Sequence, residues 1–384
     1  MASSPERPLL SVIVPVRDGE HFLTASLAAL RASDMPPSQW ELIVVDDSSH
    51  DRSAELAARY ADRLVRLIGG SRGPAFARNR GADVARGAAL VFVDADVCVH
   101  PDALRRVVQT FERESDVSAV FGAYDFTPTA GGLVSQYRNL LHRFVHQRDA
   151  GDAVTFWAGC GAVRAAVFAG CGGFDESEYL RCSVEDIELG YRLSALGHRI
   201  VLRPEIQGKH IKRWTLRSMI VTDVQQRGIP WIRLLLSRKV QPAATLNLRL
   251  SEQICTVLVV VGCLALGGWL WSGGTIWLAV AAAAVTVTLA INGPLLAWFA
   301  RHRGWGFALR AMPLRLLYYA LNAVSVSLAV LPFAFGGQQP RSRSNHAHDD
   351  RTPGSSGGCS RLVLRDYALG EEDSPRSAAG RINR

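Results

Sequence analysis

Ala89-Leu90-Val91-Phe92-Val93-Asp94-Ala95-Asp96 is a short apolar run that ends in two aspartates one residue apart. Side chains of an extended chain alternate with period two, so Asp94 and Asp96 leave the same face of it. Two carboxylates at the exit of a buried strand add nothing to a core. As hard oxygen ligands they suit Mg²⁺ or Mn²⁺, ions that take one or two protein carboxylates and keep positions open for phosphate oxygens. A lone Asp-x-Asp is also an ordinary polar strand end, so its surroundings decide the reading.

Upstream, strand and helix patterns alternate. Residues 10–16 are a strand-length apolar run interrupted at Ser11, and Phe22, Leu23, Leu27 and Leu30 give helical spacing over 19–32. A second buried strand is expected at 42–45, a helix at 53–60 capped by Asp51 or Ser53, a third strand at 64–68 and a helix at 74–85. Strands apolar throughout and separated by helices imply an α/β, Rossmann-like unit with a mostly parallel sheet covered on both faces. Ligands of such sheets gather at the carboxyl ends of the strands, where Asp46, Asp47, Asp94 and Asp96 fall.

Downstream, the 384-residue chain changes character. Three apolar stretches, 254–271, 275–299 and 314–335, each approach the length of a helix that crosses about 30 Å of hydrocarbon. Trp269, Trp271, Trp277 and Trp298 mark their interfaces. Arg233, Arg238, Lys239 and Arg249 precede the first stretch, and Arg301, Arg303, Arg310 and Arg315 lie between the second and third. The positive-inside rule then puts the α/β half on the cytoplasmic side of a cell (inner) membrane, with a multi-pass anchor. Residues 215–253 alternate basic and apolar side chains, as an interfacial amphipathic segment does. Residues 1–8 read as a flexible terminus and 336–384, rich in Ser, Gly and Arg, as a disordered tail. The net charge of +8 permits nucleic acid, membrane or phosphorylated partners, but no zinc-finger spacing or basic recognition helix favours nucleic acid. The seven cysteines form no CxxC pair, in keeping with reduced thiols.

Other short features fall in register with the aspartate pair. The first strand ends Val14-Pro15-Val16-Arg17, where proline is expected to turn the chain out of the ladder. The second ends Val45-Asp46-Asp47-Ser48, offering a carboxylate to a base N–H or to ribose hydroxyls. Gly73-Pro74-Ala75-Phe76-Ala77-Arg78 opens a helix, with Arg78 within reach of a base or diphosphate. Glu185-Asp186-Ile187-Glu188 puts carboxylates before a helix expected over 189–196, where capping alone would also favour them.

This order and spacing resembles the family 2 glycosyltransferases, inverting enzymes of the GT-A fold, over about residues 9–214. The resemblance implies a GT-A catalytic domain in which Pro15, Asp46 or Asp47, Arg78 and Asp94 bind the donor nucleotide. Asp94 and Asp96 would hold Mg²⁺ or Mn²⁺, with Asp96 nearer the ion. Asp186 would be the catalytic base and Glu185 the less favoured alternative. Phe156-Trp157-Ala158-Gly159 looks like the acceptor side, with Trp157 and Gly159 in it; tight turns around a packed aromatic would leave the same trace. His210-Ile211-Lys212-Arg213-Trp214 is similar to the Gln-x-x-Arg-Trp motif of processive membrane synthases, with histidine in place of glutamine. There Arg213 would touch the diphosphate and Trp214 the acceptor sugar; His210 could instead ligate the metal or bind phosphate.

The reading that follows is transfer of a sugar from a nucleotide-diphospho-sugar, UDP being the expected nucleotide, to a lipid-linked or envelope glycan acceptor. Polyprenyl-phosphate glycosyl synthase and processive polysaccharide synthase are variants. An inactive membrane scaffold is the non-enzyme alternative. A nucleotidyltransferase would carry a basic glycine-rich signature after the first strand, and a dehydrogenase a GxGxxG; neither is present.

Overall fold

The computed structural model describes residues 7–237 and 249–334. The first half opens with β1 (Leu10–Val16), α1 (Glu20–Arg31), β2 (Trp40–Asp46), α2 (Ser53–Ala58), β3 (Arg63–Arg66), α3 (Pro74–Asp83) and β4 (Ala89–Val93). β5 (Val97–Val99), α4 (Ala103–Arg113), β6 (Val117–Tyr124), α5 (Leu133–Arg148), β7 (Gly151–Ala153) and β8 (Cys160–Arg164) follow. α6 (Ala165–Gly170), α7 (Glu185–Ala195) and β9 (Arg199–His210) complete it.

One mixed sheet runs in the order β3-β2-β1-β4-β8-β6-β9-β5, with β7 also on β9. β3, β2, β1 and β4 are mutually parallel, in keeping with the largely apolar, buried sequences of β1, β2 and β4. Beyond β4 the sheet turns mixed, because β8 enters antiparallel between β4 and β6 while β6 and β9 are parallel. Both faces are filled, one by Leu23, Leu27 and Leu104 and the other by Phe92, Phe156, Phe168 and Phe174. The phenylalanines meet edge-on or tilted, with Phe92 and Phe174 centroids 5.1 Å apart.

Two expectations about ends need correction. Pro15 does not turn the chain out; it pairs with Val45 inside β1. The pairing of β1 with β4 stops at Ile13, so the missing N–H falls where that ladder has ended. Pro8, expected within a flexible terminus over 1–8, is buried, and its carbonyl accepts from Ala88 N at 3.2 Å. Residues 1–6, 238–248 and the expected tail 336–384 lie outside the described residues.

The second half continues with α8 (Leu216–Val221), a π-helix (Thr222–Gly228), α9 (Ile229–Ser237), α10 (Leu250–Ser272), α11 (Thr275–Ile291), α12 (Gly293–Arg303) and α13 (Trp305–Ala334). Pro230 has no N–H to return to the Gln226 carbonyl four residues back, one reason the turn is wide there. α10 and α13 are long and apolar enough to cross a membrane. The expected straight span 275–299 is instead α11 and α12, bent by 61° at Asn292 with Pro294 opening α12, and together they could form a third crossing. Arg315 lies inside α13 rather than in a loop, and Glu252 lies in the first turn of α10; the two pair at 2.7 Å. α5 joins the halves: Tyr137 and Leu140 pack with Trp214, Phe299 and Ala311 in one cluster.

Candidate active site

A cavity of about 1050 Å³ opens at the carboxyl ends of β1 and β4 and reaches the membrane-type helices. Pro15, Asp47, Arg78, Asp94 and Asp96 line one end. Asp47 follows β2 and holds the 71–73 loop against the strand ends, accepting from Ser71 Oγ at 2.6 Å, Arg72 N at 3.0 Å and Gly73 N at 2.9 Å. Asp46 is 2 % exposed and does not reach the cavity; its carboxylate accepts from Ser49 N and closes the turn. Of the two candidates, Asp47 faces the cavity.

The aspartate pair is built by strand register. Val97 of β5 lies opposite His210 of β9, and Ile211 N donates to Asp96 O at 3.0 Å, which brings His210 beside Asp96. Asn139 Nδ2 donates to Ser135 O at 2.9 Å, so its Oδ1 is left to accept from His210 Nδ1, also at 2.9 Å. That fixes the ring: Nε2 faces Asp96 Oδ2 at 3.4 Å. A proton or a shared divalent cation must bridge the two. Burial would raise the Asp96 carboxyl, but the His210 hydrogen bond and charge, together with Lys212, outweigh it and hold the group below its ordinary range. Among the described residues no three metal-ligating side chains cluster. One carboxylate and one imidazole still fit an ion whose other positions belong to phosphate oxygens and water.

Arg78 organises the carboxylates. It is 4 % exposed, with Nη2 on Asp94 at 2.8 Å and Nη1 on Glu185 at 2.9 Å. Both amino groups are therefore committed to protein carboxylates rather than held free for a base or diphosphate. Enclosure raises the Asp94 carboxyl against the pull of Arg78. Glu185 also accepts from Ser183 N at 2.8 Å, which ties it to the turn before α7, and α7 begins at Glu185 and not at residue 189. Asp186, next along, is hydrogen-bonded among the described residues by backbone N–H groups alone: Ala158 N at 3.2 Å and Ile187 N at 2.8 Å. Burial foremost, then the negative Glu185 beside it, pushes its pKa up to about 6. A lined, weakly bonded carboxylate with a raised pKa is what a general base requires.

Trp157 lines the cavity, its ring edge-on to Tyr124 at 5.0 Å. Gly159 does not line it; a Cβ there would collide with the Trp157 ring, and its carbonyl accepts from Asp94 N. Arg213 is exposed and outside the cavity, whereas Lys212 and Trp214 line it. Trp214 is nearly buried, with Lys212 Nζ 4.9 Å and Arg138 5.3 Å from its ring. Period-two alternation along His210, Lys212 and Trp214 could have found this, since Arg213 points to the other side.

The other end of the cavity is made by residues that carried no sequence motif. α5 contributes Asn139, His142 and His146, the π-helix Asp223 and Gln226, and α10 and α13 contribute Val257, Val261 and Val326. Burial pushes His142 well below the ordinary imidazole range, with the charges of His146 and Arg227 acting the same way. The π-helix is tied to the Glu-Asp turn, because Ser183 Oγ donates to Gln226 O at 3.0 Å. Arg138 holds it to α5 through Asp223.

The sequence profile described as Glycosyl transferase family 2 matches residues 11–170. Validoxylamine A glucosyltransferase of Streptomyces hygroscopicus subsp. limoneus is 29 % identical over 235 residues, 52 % of this chain and 51 % of that protein. Glycosyltransferase AglE of Haloferax volcanii is 34 % identical over 133 residues, 34 % of this chain and 43 % of that one. Beta-monoglucosyldiacylglycerol synthase of Trichormus variabilis is 25 % identical over 237 residues, 58 % of this chain and 45 % of that one. The chain thus spans about half the length of the curated relatives it matches. In fold it is similar to the mannosyltransferase PcManGT from Pyrobaculum calidifontis, solved in complex with GDP-Man and Mn²⁺. The TM-score is 0.54 at 19 % identity, over 85 % of this chain and 89 % of that one. Residues 11–170 thus match a glycosyl transferase family 2 domain, and the fold is GT-A-like.

Proposed function

We propose that the protein is an inverting glycosyltransferase that moves a sugar from a nucleotide-diphospho-sugar to a hydroxyl of a lipid or lipid-linked glycan at the cytoplasmic face of a membrane. The observation that carries this reading is the shared cavity, which holds Asp94, Asp96 and Asp186 at one end and the valines of α10 and α13 at the other. The family domain, and relatives named as glucosyltransferases and a glucosyldiacylglycerol synthase, support the reaction class.

In the proposed step the Asp186 carboxylate takes the acceptor's hydroxyl proton while that oxygen forms its bond to the anomeric carbon. The bond from that carbon to the diphosphate breaks on the opposite face, so one displacement inverts the centre. Asp96 and His210 would hold a Mg²⁺ or Mn²⁺, which when bound neutralises charge on the departing diphosphate. Asp47 and Pro15 line the nucleotide end, and Arg78 keeps Asp94 and Glu185 in place. Trp157 and Trp214 line the acceptor side. A base is superfluous for an acceptor that is already an anion, so Asp186 favours a hydroxyl over the polyprenyl-phosphate variant.

The test is a screen of the purified full chain against UDP- and GDP-sugars, with Mn²⁺, Mg²⁺ or chelator. Metal-dependent donor turnover is expected, lost in both Asp96→Ala and Asp186→Asn, with donor binding kept only in the latter. Full activity in both variants would dismiss this site.

A further inference from the structure

We propose that the cavity wall formed by α5, Thr155 and Trp214 is a subsite for an uncharged, hydroxyl-bearing lipid headgroup, whose tail lies along the valines of α10 and α13. The proposal rests on the membrane-side glycosyltransferase reading above and names the acceptor class for it. What carries it is the set of hydrogen-bonding groups that the fold leaves unspent. Four cavity-lining residues have a buried polar side-chain atom without a partner among the described residues: Arg78 Nε, His142 Nδ1, Thr155 Oγ1 and Trp214 Nε1. Thr155 is 2 % exposed and Trp214 9 %. Proteins rarely bury such atoms without a partner, so a ligand or water is owed to them.

Setting aside Arg78, whose Nη groups serve Asp94 and Glu185, the groups owed a partner are an imidazole nitrogen, a hydroxyl and an indole N–H. All three are neutral donors or acceptors, and hydroxyls satisfy them. The His142 ring is wedged among three rings at tilted angles, 4.2 Å from Tyr124, 3.8 Å from His146 and 4.6 Å from Trp157, centroid to centroid. Flat aromatic faces beside unspent polar atoms suit a sugar or polyol, which presents C–H and O–H groups together. A lipid phosphate would look instead for free buried cations. Here the buried Arg78 is committed to two carboxylates and Arg138 to Asp223. Lys212 sits over the Trp214 ring and acts on Asp96, on the donor side. Arg17, Arg181 and Arg227 line the cavity but are exposed. The tail needs an apolar path continuous with this wall, and Val257, Val260, Val261 and Val326 supply it within the same cavity.

The experiment uses the full chain in detergent micelles with UDP-glucose, UDP-N-acetylglucosamine and GDP-mannose as donors. Three acceptors are offered: diacylglycerol, monoglycosyldiacylglycerol and polyprenyl phosphate. Transfer to a hydroxyl lipid at least tenfold faster than to polyprenyl phosphate is expected. His142→Phe keeps an aromatic ring among its neighbours but removes the nitrogens, and it should raise the KM for the hydroxyl lipid about tenfold, more than it lowers kcat. Thr155→Val should shift the same KM in the same direction, which guards against a folding defect in either variant. Faster transfer to polyprenyl phosphate would overturn this proposal and leave the glycosyltransferase reading standing, as would an acceptor KM unchanged in both variants. Donor hydrolysis with no transfer to any lipid would overturn this proposal and the membrane-side reading together.

Discussion

Two buried arginines, one in each half of the molecule, do similar work with opposite consequences. Arg78 joins Asp94 to Glu185 across the strand ends, and Arg315 joins Glu252 of α10 to Asn292 at the bend before α12. Around Arg315 the network is closed: Tyr319 OH donates to Asn292 Oδ1 at 3.1 Å, and Asn292 Nδ2 donates to Thr288 O at 2.9 Å. Around Arg78 it is open, since Asp186 next to Glu185 is left, among the described residues, with backbone donors only and a raised pKa. A polar network that satisfies every member fixes geometry, whereas one that leaves a carboxylate underbonded keeps it available for chemistry.

Breaking the open network should cost rate before stability. Asp186→Asn is expected to lower kcat by about 10²- to 10⁴-fold, the usual worth of a general base. The same variant should melt at a higher temperature at pH 7. An aspartate whose folded pKa lies above its unfolded value takes up a proton on folding, so the ionised form works against stability as pH rises from about 4 through about 6. A calorimetric scan beside the kinetics would decide both, and a lower melting point would contradict the account of Asp186.

Breaking the closed network should cost stability. Arg315→Met strands Glu252 in a buried position, a loss of about 3–5 kcal/mol. Adding Glu252→Gln should recover much of it, read as the melting temperature of the detergent-solubilised chain. No recovery would mean that the arginine, not the pair, sets the stability. Asn139→Leu sharpens the contrast at the other end, because it removes the partner that orients the His210 ring. A loss of about 10- to 100-fold in Mn²⁺ affinity is expected, measured by titration with donor nucleotide present.

Acid offers a gentler perturbation. If ionised Asp186 is the base, kcat/KM should fall as pH drops through about 6, approaching tenfold per unit below it. A profile flat from pH 5 to 8 would remove it from that role. Ser183→Ala should have the smallest effect, about 2- to 10-fold, the worth of one hydrogen bond of about 0.5–1.5 kcal/mol. Rescue by Ser183→Thr would separate loss of the Gln226 tether from a general packing fault.

The two halves were not equally legible. Apolar runs marked β1, β2 and β4 and with them the parallel core, because each strand's pattern is its own, while β3 showed only as a short run broken by Arg66. β8 escaped, since Cys160-Gly161-Ala162 reads as a turn; its glycine is needed where a Cβ would strike the Phe156 ring. Asp94, Asp96 and Asp186 were marked by short motifs. α5 was not, because Arg138, Asn139, His142 and His146 have the spacing of any amphipathic helix. The choice between Asp46 and Asp47, and between Arg213 and Lys212, turned on which side of the chain each side chain leaves. The bend at Asn292 hid inside an apolar stretch whose length alone suggested one straight helix.

From the sequence alone came the acidic strand ends, the Glu-Asp turn and the apolar helices of membrane length, all set by patterns a few residues long. Tertiary structure decided that those features share one cavity, that Arg78 is spent on carboxylates 16 and 107 residues away, and that Asn139 aims His210 at Asp96. The reason is range: periodicity fixes which way a side chain leaves its own element, while the partner it meets depends on how distant elements pack.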